Sequence, residues 1–172
     1  LPRTILSMLL GAGLAIAGST YQGIFRNPLV SPDVLGVSSG AGFGSVLGIL
    51  LFGMSATTSL LAFVFGLGSV ALTYVFARAR GETTMMSLVL SGMIVSAIFA
   101  ALISLVKYVA DPYDPLPALT YWLMGSFSKA TFEDLRYIFI PLTISLVILN
   151  LVRWRINILS LGEEESKSLG VN

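Results

Sequence analysis

Neither cysteine nor histidine occurs in the 172 residues, and charged residues make up only 11% of them. The first absence removes disulfides, thiolate nucleophiles, imidazole bases and the usual zinc ligands. The second removes the polar coat of a water-soluble domain, in which roughly a quarter of residues are charged. Ten basic against nine acidic residues leave a net charge of +1, so there is no basic field to hold nucleic acid. No glycine-rich phosphate loop ending in Lys-Ser or Lys-Thr is present, so nothing in the sequence holds ATP and any energy source lies in another polypeptide. With no Ser-His or Cys-His pair and no close pair of carboxylates within an apolar run, no residue is assigned as catalytic, cofactor-binding or metal-ligating, and an enzyme is discounted.

What is abundant is apolar: 55% hydrophobic residues and a mean hydropathy of +0.88. A chain of this length cannot bury that much apolar surface in its own core, so it needs a second apolar phase, the lipid bilayer. A spanning helix takes about 20 residues that tolerate hydrocarbon, and the spacing between charges places such runs at 4–25, 84–107 and, shorter, 137–152. The long uncharged stretch from Val34 to Ala77 is enough for two more, 36–52 and 59–77, divided where Gly53, Ser55, Thr57 and Thr58 cluster. The expected fold is therefore all-α: a polytopic helical bundle in the membrane with about five crossings. The run 118–127 is too short to span, and its Tyr121 and Trp122 suit a surface helix outside the core. Five alternating crossings put Arg26, Arg78, Arg80, Arg153, Arg155 and Lys167 on one side and Arg3, Lys107, Lys129 and Arg136 on the other. The first side is read as cytoplasmic.

Within the first run, Gly11, Ala15, Gly18 and Gln22 share one helical face, and in the second Gly36, Gly40, Gly44 and Gly48 recur every fourth residue. Small residues at this spacing let helices approach closely; tight packing is the first reading, lining of a path the second. No acid or base lies inside a run, which argues against an ion-coupled carrier, and Lys107 sits at a helix end as an interface anchor. The fourth run has a partly hydroxylated face, Ser87, Ser91, Gly92, Ser96, Ala100 and Ser104, whose serines either bond their own backbone or border a path.

Two connecting segments are richer than connectors need to be. Residues 22–42 read QGIFRNPLVSPDVLGVSSGAG, with Pro28 and Pro32 stiffening the turn, Arg26 and Asn27 able to meet helix-end carbonyls, and Ser31-Pro32-Asp33 shaped as a helix start. Residues 158–171 read ILSLGEEESKSLGV, a short helix with a Ser160/Glu163 capping-box pattern, Glu163 paired with Lys167 four residues on, and Gly170 at its stop. It is either a solvated loop helix or a docking element for a cytoplasmic partner.

Both segments resemble the permease subunits of ABC importers for iron-siderophore chelates, haem and cobalamin, the FecCD-type family. The resemblance rests on Leu1-Pro2-Arg3-Thr4, GAGLAIAG from Gly11 to Gly18, Gln22, Arg26-Asn27-Pro28-Leu29, Pro32, Leu35-Gly36 and Gly40-Ala41. Trp122, Met124-Gly125-Ser126, Leu161-Gly162-Glu163 and Leu169-Gly170 continue it in order to the end. Ser166 and Val30 depart from it, since relatives commonly carry Ala at both.

The resemblance implies a subunit of about ten spans in the cell membrane, of which this chain would hold the second to the sixth. It implies partnership with a second permease subunit, identical or paralogous, with a cytoplasmic ABC ATPase dimer that binds the ATP, and with an extracytoplasmic solute-binding protein. The helix 161–170, with Leu161, Gly162, Glu163, Glu164, Ser166, Leu169 and Gly170, would be the cytoplasmic element coupled to the ATPase. Ser91, Gly92, Ser96 and Ala100 would line the translocation path. Arg3 would meet the solute-binding protein, although lipid headgroups would serve it equally. The alternative held against this reading is an ion-coupled secondary transporter with glycine-interrupted helices.

Overall fold

The computed structural model describes residues 1–79, 84–128, 130–161 and 163–170. Among them are seven helices and no strand: α1 (Pro2–Phe25), α2 (Val37–Phe52), α3 (Ala56–Arg78), α4 (Met85–Val109), α5 (Pro115–Met124), α6 (Phe132–Leu159) and α7 (Glu163–Ser168). Four of them, α1, α3, α4 and α6, are long and apolar enough to cross a membrane. With its 16 residues, α2 is shorter; at 1.5 Å per residue it covers about 24 Å of a hydrocarbon layer about 30 Å thick. The chain divides into two compact units, one comprising 1–32 and 126–172, the other Asp33–Gly125.

In the second unit, α2 lies against α3 along its glycines. A Cβ at Gly40 would come within 2.6 Å of the Phe65 carbonyl oxygen, at Gly44 within 2.4 Å of the Leu61 oxygen, and at Gly48 within 2.8 Å of the Thr58 Cα. No side chain fits there, so the two backbones meet directly, which is how helices gain dispersion contacts when lipid gives no hydrophobic drive to associate. The face of α3 that α2 covers is small and polar: Thr58, Gly66, Ser69, Thr73 and Ala77 are buried, whereas Leu60, Phe63 and Leu67 point outward. Each buried hydroxyl finds a backbone acceptor, Ser45 on Gly42, Ser69 on Gly66 and Thr58 on Gly53, at 2.7–2.8 Å. Phe43, Phe65 and Phe99 then join α2, α3 and α4 in a triangle of rings with centroids 5.2–6.4 Å apart.

The short helix α5 corrects the expectation of a segment outside the core. Leu119 is fully buried, packed with Val46, Ile49 and Ala110, while Tyr121 and Trp122 remain on the outside. It begins at Pro115 and stops at Gly125, whose φ of +69° ends it before the expected 127. Apolar residues on one side and aromatic ones on the other make an interfacial helix in sequence; the buried side belongs to protein, not lipid.

In the first unit α1 packs on α6 and α6 on α7. Helix α6 runs 28 residues, well past the uncharged 137–152 at both ends. Charges mark where hydrocarbon ends, not where the helix does. Thr131 and Asp134 form a reciprocal cap at the start, with Thr131 N donating to Asp134 Oδ2 at 2.8 Å and Asp134 N to Thr131 Oγ1 at 3.3 Å. Pro141 sits inside the helix, where membrane helices tolerate it, and the Ser145 hydroxyl donates to its carbonyl at 2.8 Å.

Candidate translocation and coupling elements

The non-helical residues Asp33–Gly36 enter α2 in a way the sequence only half announced. Gly36 is the N-cap residue, and the side chain that meets the first turn is Asp33 and not Ser31: its Oδ1 accepts from Ser38 N at 2.7 Å, and its carbonyl accepts from Gly36 N at 2.9 Å. Gly36, at φ +78°, makes the left-handed step that L side chains resist. The segment is clamped from both sides. Thr73 Oγ1 of α3 donates to the Leu35 carbonyl at 3.0 Å, and on α4 a Cβ at Gly92 would stand 2.1 Å from the Val34 carbonyl oxygen. The Ser96 hydroxyl lies 2.8 Å from where a Gly36 Cβ would be. Irregular backbone needs neighbouring protein to satisfy it, and α3 does so here through Thr73 while α4 packs against the turn. Replacing Thr73 by Val should leave the half-buried Leu35 carbonyl without its donor and cost about 1 kcal/mol. A drop in the thermal midpoint of the detergent-solubilised protein would register it; an unchanged midpoint would show that the bond contributes nothing.

This clamp redistributes the residues expected to border a path. Ser91 and Gly92 are buried and Ser96 is half-buried, all on the side of α4 that holds the Asp33–Gly36 turn; of the four, only Ala100 is exposed. The face of α4 that stays open carries Met93, Ala97, Ala100 and Ser104. Ser87, at the start of α4, serves as the reciprocal cap partner of Thr84, with Ser87 N donating to Thr84 Oγ1 at 3.1 Å.

In the first unit, α1 ends where Arg26 takes φ +49°, and the Arg26 and Asn27 amides close back on the Gly23 and Gln22 carbonyls at 3.2 and 3.1 Å. Asn27 Oδ1 accepts from Leu29 N at 2.9 Å, Gln22 Nε2 reaches the Val30 carbonyl at 3.4 Å, and Pro32 rests 3.4 Å from a Gly18 Cβ position. Pro28 lies in the turn between. Gln22, Asn27 and Pro32 thus hold a folded loop that leaves Leu29 89% exposed and Val30 buried. Gly11 has open space beside it and Ala15 is exposed, so this part of the α1 small-residue face meets no neighbour among the described residues. Arg3 donates to the carbonyl of Ser128, tying the start of α1 to the α5–α6 linker.

Helix α7 follows α6 after a tight turn. Ser160 closes α6 instead of opening α7: it is the C-cap, and its hydroxyl donates to Asn157 O at 2.6 Å. Ser166 faces inward and is only 3% exposed, so it is not on the outer surface expected to meet an ATPase. Leu161 and Leu169, 55% and 53% exposed, flank the helix, Gly170 follows at φ +79°, and Glu163 and Glu164 lie in its first turn. Gly162 lies outside the described residues. No group of three or more Asp or Glu residues capable of holding a metal occurs among the described residues.

Comparison with known proteins places this arrangement. The FecCD transport family profile matches residues 1–172. The molybdate import system permease protein MolB of Haemophilus influenzae is 43% identical over 175 residues, covering 99% of this chain and 51% of that protein. A probable iron chelatin transport system permease protein of Helicobacter pylori is 40% identical over 100% of this chain and 52% of its own length. The solved structure described as an inward-facing conformation of a putative metal-chelate type ABC transporter superposes with a TM-score of 0.89 at 43% identity, covering all of this chain and 55% of that one. The chain spans about half the length of the curated relatives it matches. With a family profile over its whole length and a fold that superposes on a solved relative at a TM-score of 0.89, this multi-pass membrane chain belongs to the FecCD transport family.

Proposed function

We propose that the chain forms part of the membrane wall of an ABC importer that brings a metal-containing solute into the cytoplasm, supplying walls and coupling but no chemistry. The observation that carries this is the match of the whole chain to relatives named as permeases for molybdate, iron chelatin, hemin, ferric enterobactin and vitamin B12. A separate ATPase dimer supplies the energy and meets α7. A second permease subunit completes the path, and an extracytoplasmic solute-binding protein delivers the cargo beside Arg3. The path-facing part of α4 is its open side, Met93, Ala97, Ala100 and Ser104, rather than the clamped side with Ser91 and Gly92.

The cargo class expected from the sequence is a bulky chelate: an iron-siderophore, haem or cobalamin. The 43% identity to a molybdate permease adds a small oxyanion as a second reading. Whichever it is, an open face of methyl, thioether and hydroxyl groups meets cargo by shape and polarity, and the metal travels inside its own ligands. Cells lacking their own importers, supplied with the full-length protein, its ATPase and its binding protein, separate the two. Growth on ferric catecholate, haem or cobalamin at limiting supply supports the chelate reading, and growth restored only by trace molybdate supports the oxyanion. Growth restored by none contradicts the proposal.

A further inference from the structure

Helix α2 carries Gly40, Gly44 and Gly48 at an interval of four, and all three lie on α3 with no room for a methyl group. Rotation of α2 is therefore blocked. Turning it by one residue either way brings Phe43 and Leu47, or Ser45 and Ile49, to a seam that admits no side chain. A lengthwise slide is not blocked in the same way. Moved one turn toward its own start, about 6 Å, α2 sets Gly44 where Gly40 was and Gly48 where Gly44 was, so two of the three contacts still meet glycine. Helices do ratchet past one another by such steps. The connection to α3 permits it, because unwinding the last turn of α2 from about 1.5 to about 3.3 Å per residue yields about 7 Å. Glycine spacing thus leaves two registers open.

A pair of hydroxyls distinguishes the two. Thr58 Oγ1 donates to the carbonyl of Gly53, which closes α2, at 2.7 Å, and Thr73 Oγ1 donates to the carbonyl of Leu35, just before its start, at 3.0 Å. Helix α3 thereby holds both ends of α2. Both threonines are buried, at 3% and 0% exposed, and neither hydroxyl turns back on its own helix. A one-turn slide breaks both bonds and leaves both carbonyls without these donors. We infer that Thr58 and Thr73 are positioning residues that fix α2 in one register on α3, and that the two helices move as one rigid body when the transporter changes state. The rigid-body part rests on the importer proposed above; the register does not.

The test is disulfide cross-linking in the full-length protein, freed of any cysteine outside this stretch, with its ATPase. A Cβ at Gly66 lies 3.4 Å from the Ala41 Cβ, close to the separation of about 3.5–4.5 Å in a disulfide, so Ala41→Cys with Gly66→Cys reports the observed register. Ser45→Cys with Gly66→Cys reports the slide, which brings residue 45 to where 41 was. With both threonines in place, the ratio of the second cross-link to the first should be small, and the same with and without ATP and vanadate. Thr58→Val with Thr73→Val should raise it about thirtyfold, at about fivefold for each neutral hydrogen bond. Serine at both positions should return the ratio to its starting value. An unchanged ratio with both valines, or a shifted cross-link that nucleotide brings out while both threonines are present, would overturn the inference. Oxidation of the Ala41→Cys, Gly66→Cys protein should leave ATP-driven uptake as in its reduced form; loss on oxidation, restored by reductant, would refute the rigid pair. Uptake absent even without the cysteine substitutions counts against the importer, and the cross-link ratio still decides the register.

Discussion

Gly92→Ala is expected to be the most damaging glycine-to-alanine change among the described residues. The added Cβ would lie 2.1 Å from the Val34 carbonyl oxygen and 3.1 Å from the Leu35 Cα, both of them backbone atoms that no rotamer change can move. Relief requires α4 to withdraw from the Asp33–Gly36 turn, which loosens the Thr73–Leu35 bond on the far side. Overpacking of this kind costs about 3 kcal/mol or more. The variant should accumulate poorly, and what does fold should melt well below wild type. Gly11→Ala and Gly68→Ala provide the contrast, because a Cβ at either meets nothing among the described residues; each should stay within about 0.5 kcal/mol of wild type. Equal behaviour of Gly92→Ala and Gly11→Ala would mean that the turn does not rest on α4.

The second large effect concerns α7. Leu161 and Leu169 are apolar and more than half exposed on either side of a six-residue helix that is anchored inward by Ser166. Under the proposed coupling role, the ATPase covers both leucines. Leu161→Asp with Leu169→Asp should cut ATP-driven uptake by the full-length protein more than tenfold. Each buried leucine contributes about 1.5–3 kcal/mol to such an interface. Affinity for the solute-binding protein should stay as in wild type, because its proposed docking is at Arg3, at the start of α1. Ser166→Leu, which overfills the inward side, should lower uptake by displacing the whole helix. Undiminished uptake with both aspartates would remove α7 from the coupling path.

Where the long apolar helices run was legible from charge spacing, because a bilayer penalises charge along a fixed thickness: α1, α3 and α4 coincide with the runs, carrying charge only at Arg3, Arg78 and Lys107 near their ends. Which side of each helix meets protein was not. In water, large apolar residues turn inward; in lipid they turn either way, and α3 buries Thr58, Ser69 and Thr73 while exposing Leu60, Phe63 and Leu67. Periodicity could say that Gly40, Gly44 and Gly48 share a face with one another, and equally that Gly11 and Ala15 do. It could not say that only the first set has a helix laid across it. The same gap explains Ser91 and Gly92: hydroxyl and glycine on one helical face describe a polar path wall and a seat for a turn equally well, and the seat appears only when Val34 is brought beside it from 58 residues away in sequence.

Energy coupling is the property that separates an ABC importer from an ion-coupled carrier. In proteoliposomes holding the full-length protein with its ATPase and binding protein, cargo accumulation is predicted to require internal ATP hydrolysis and to be indifferent to ionophores that collapse proton and sodium gradients. The absence of any acid or base within the apolar runs leads to the same expectation. Accumulation that continues without ATP and stops with the ionophore would contradict the account.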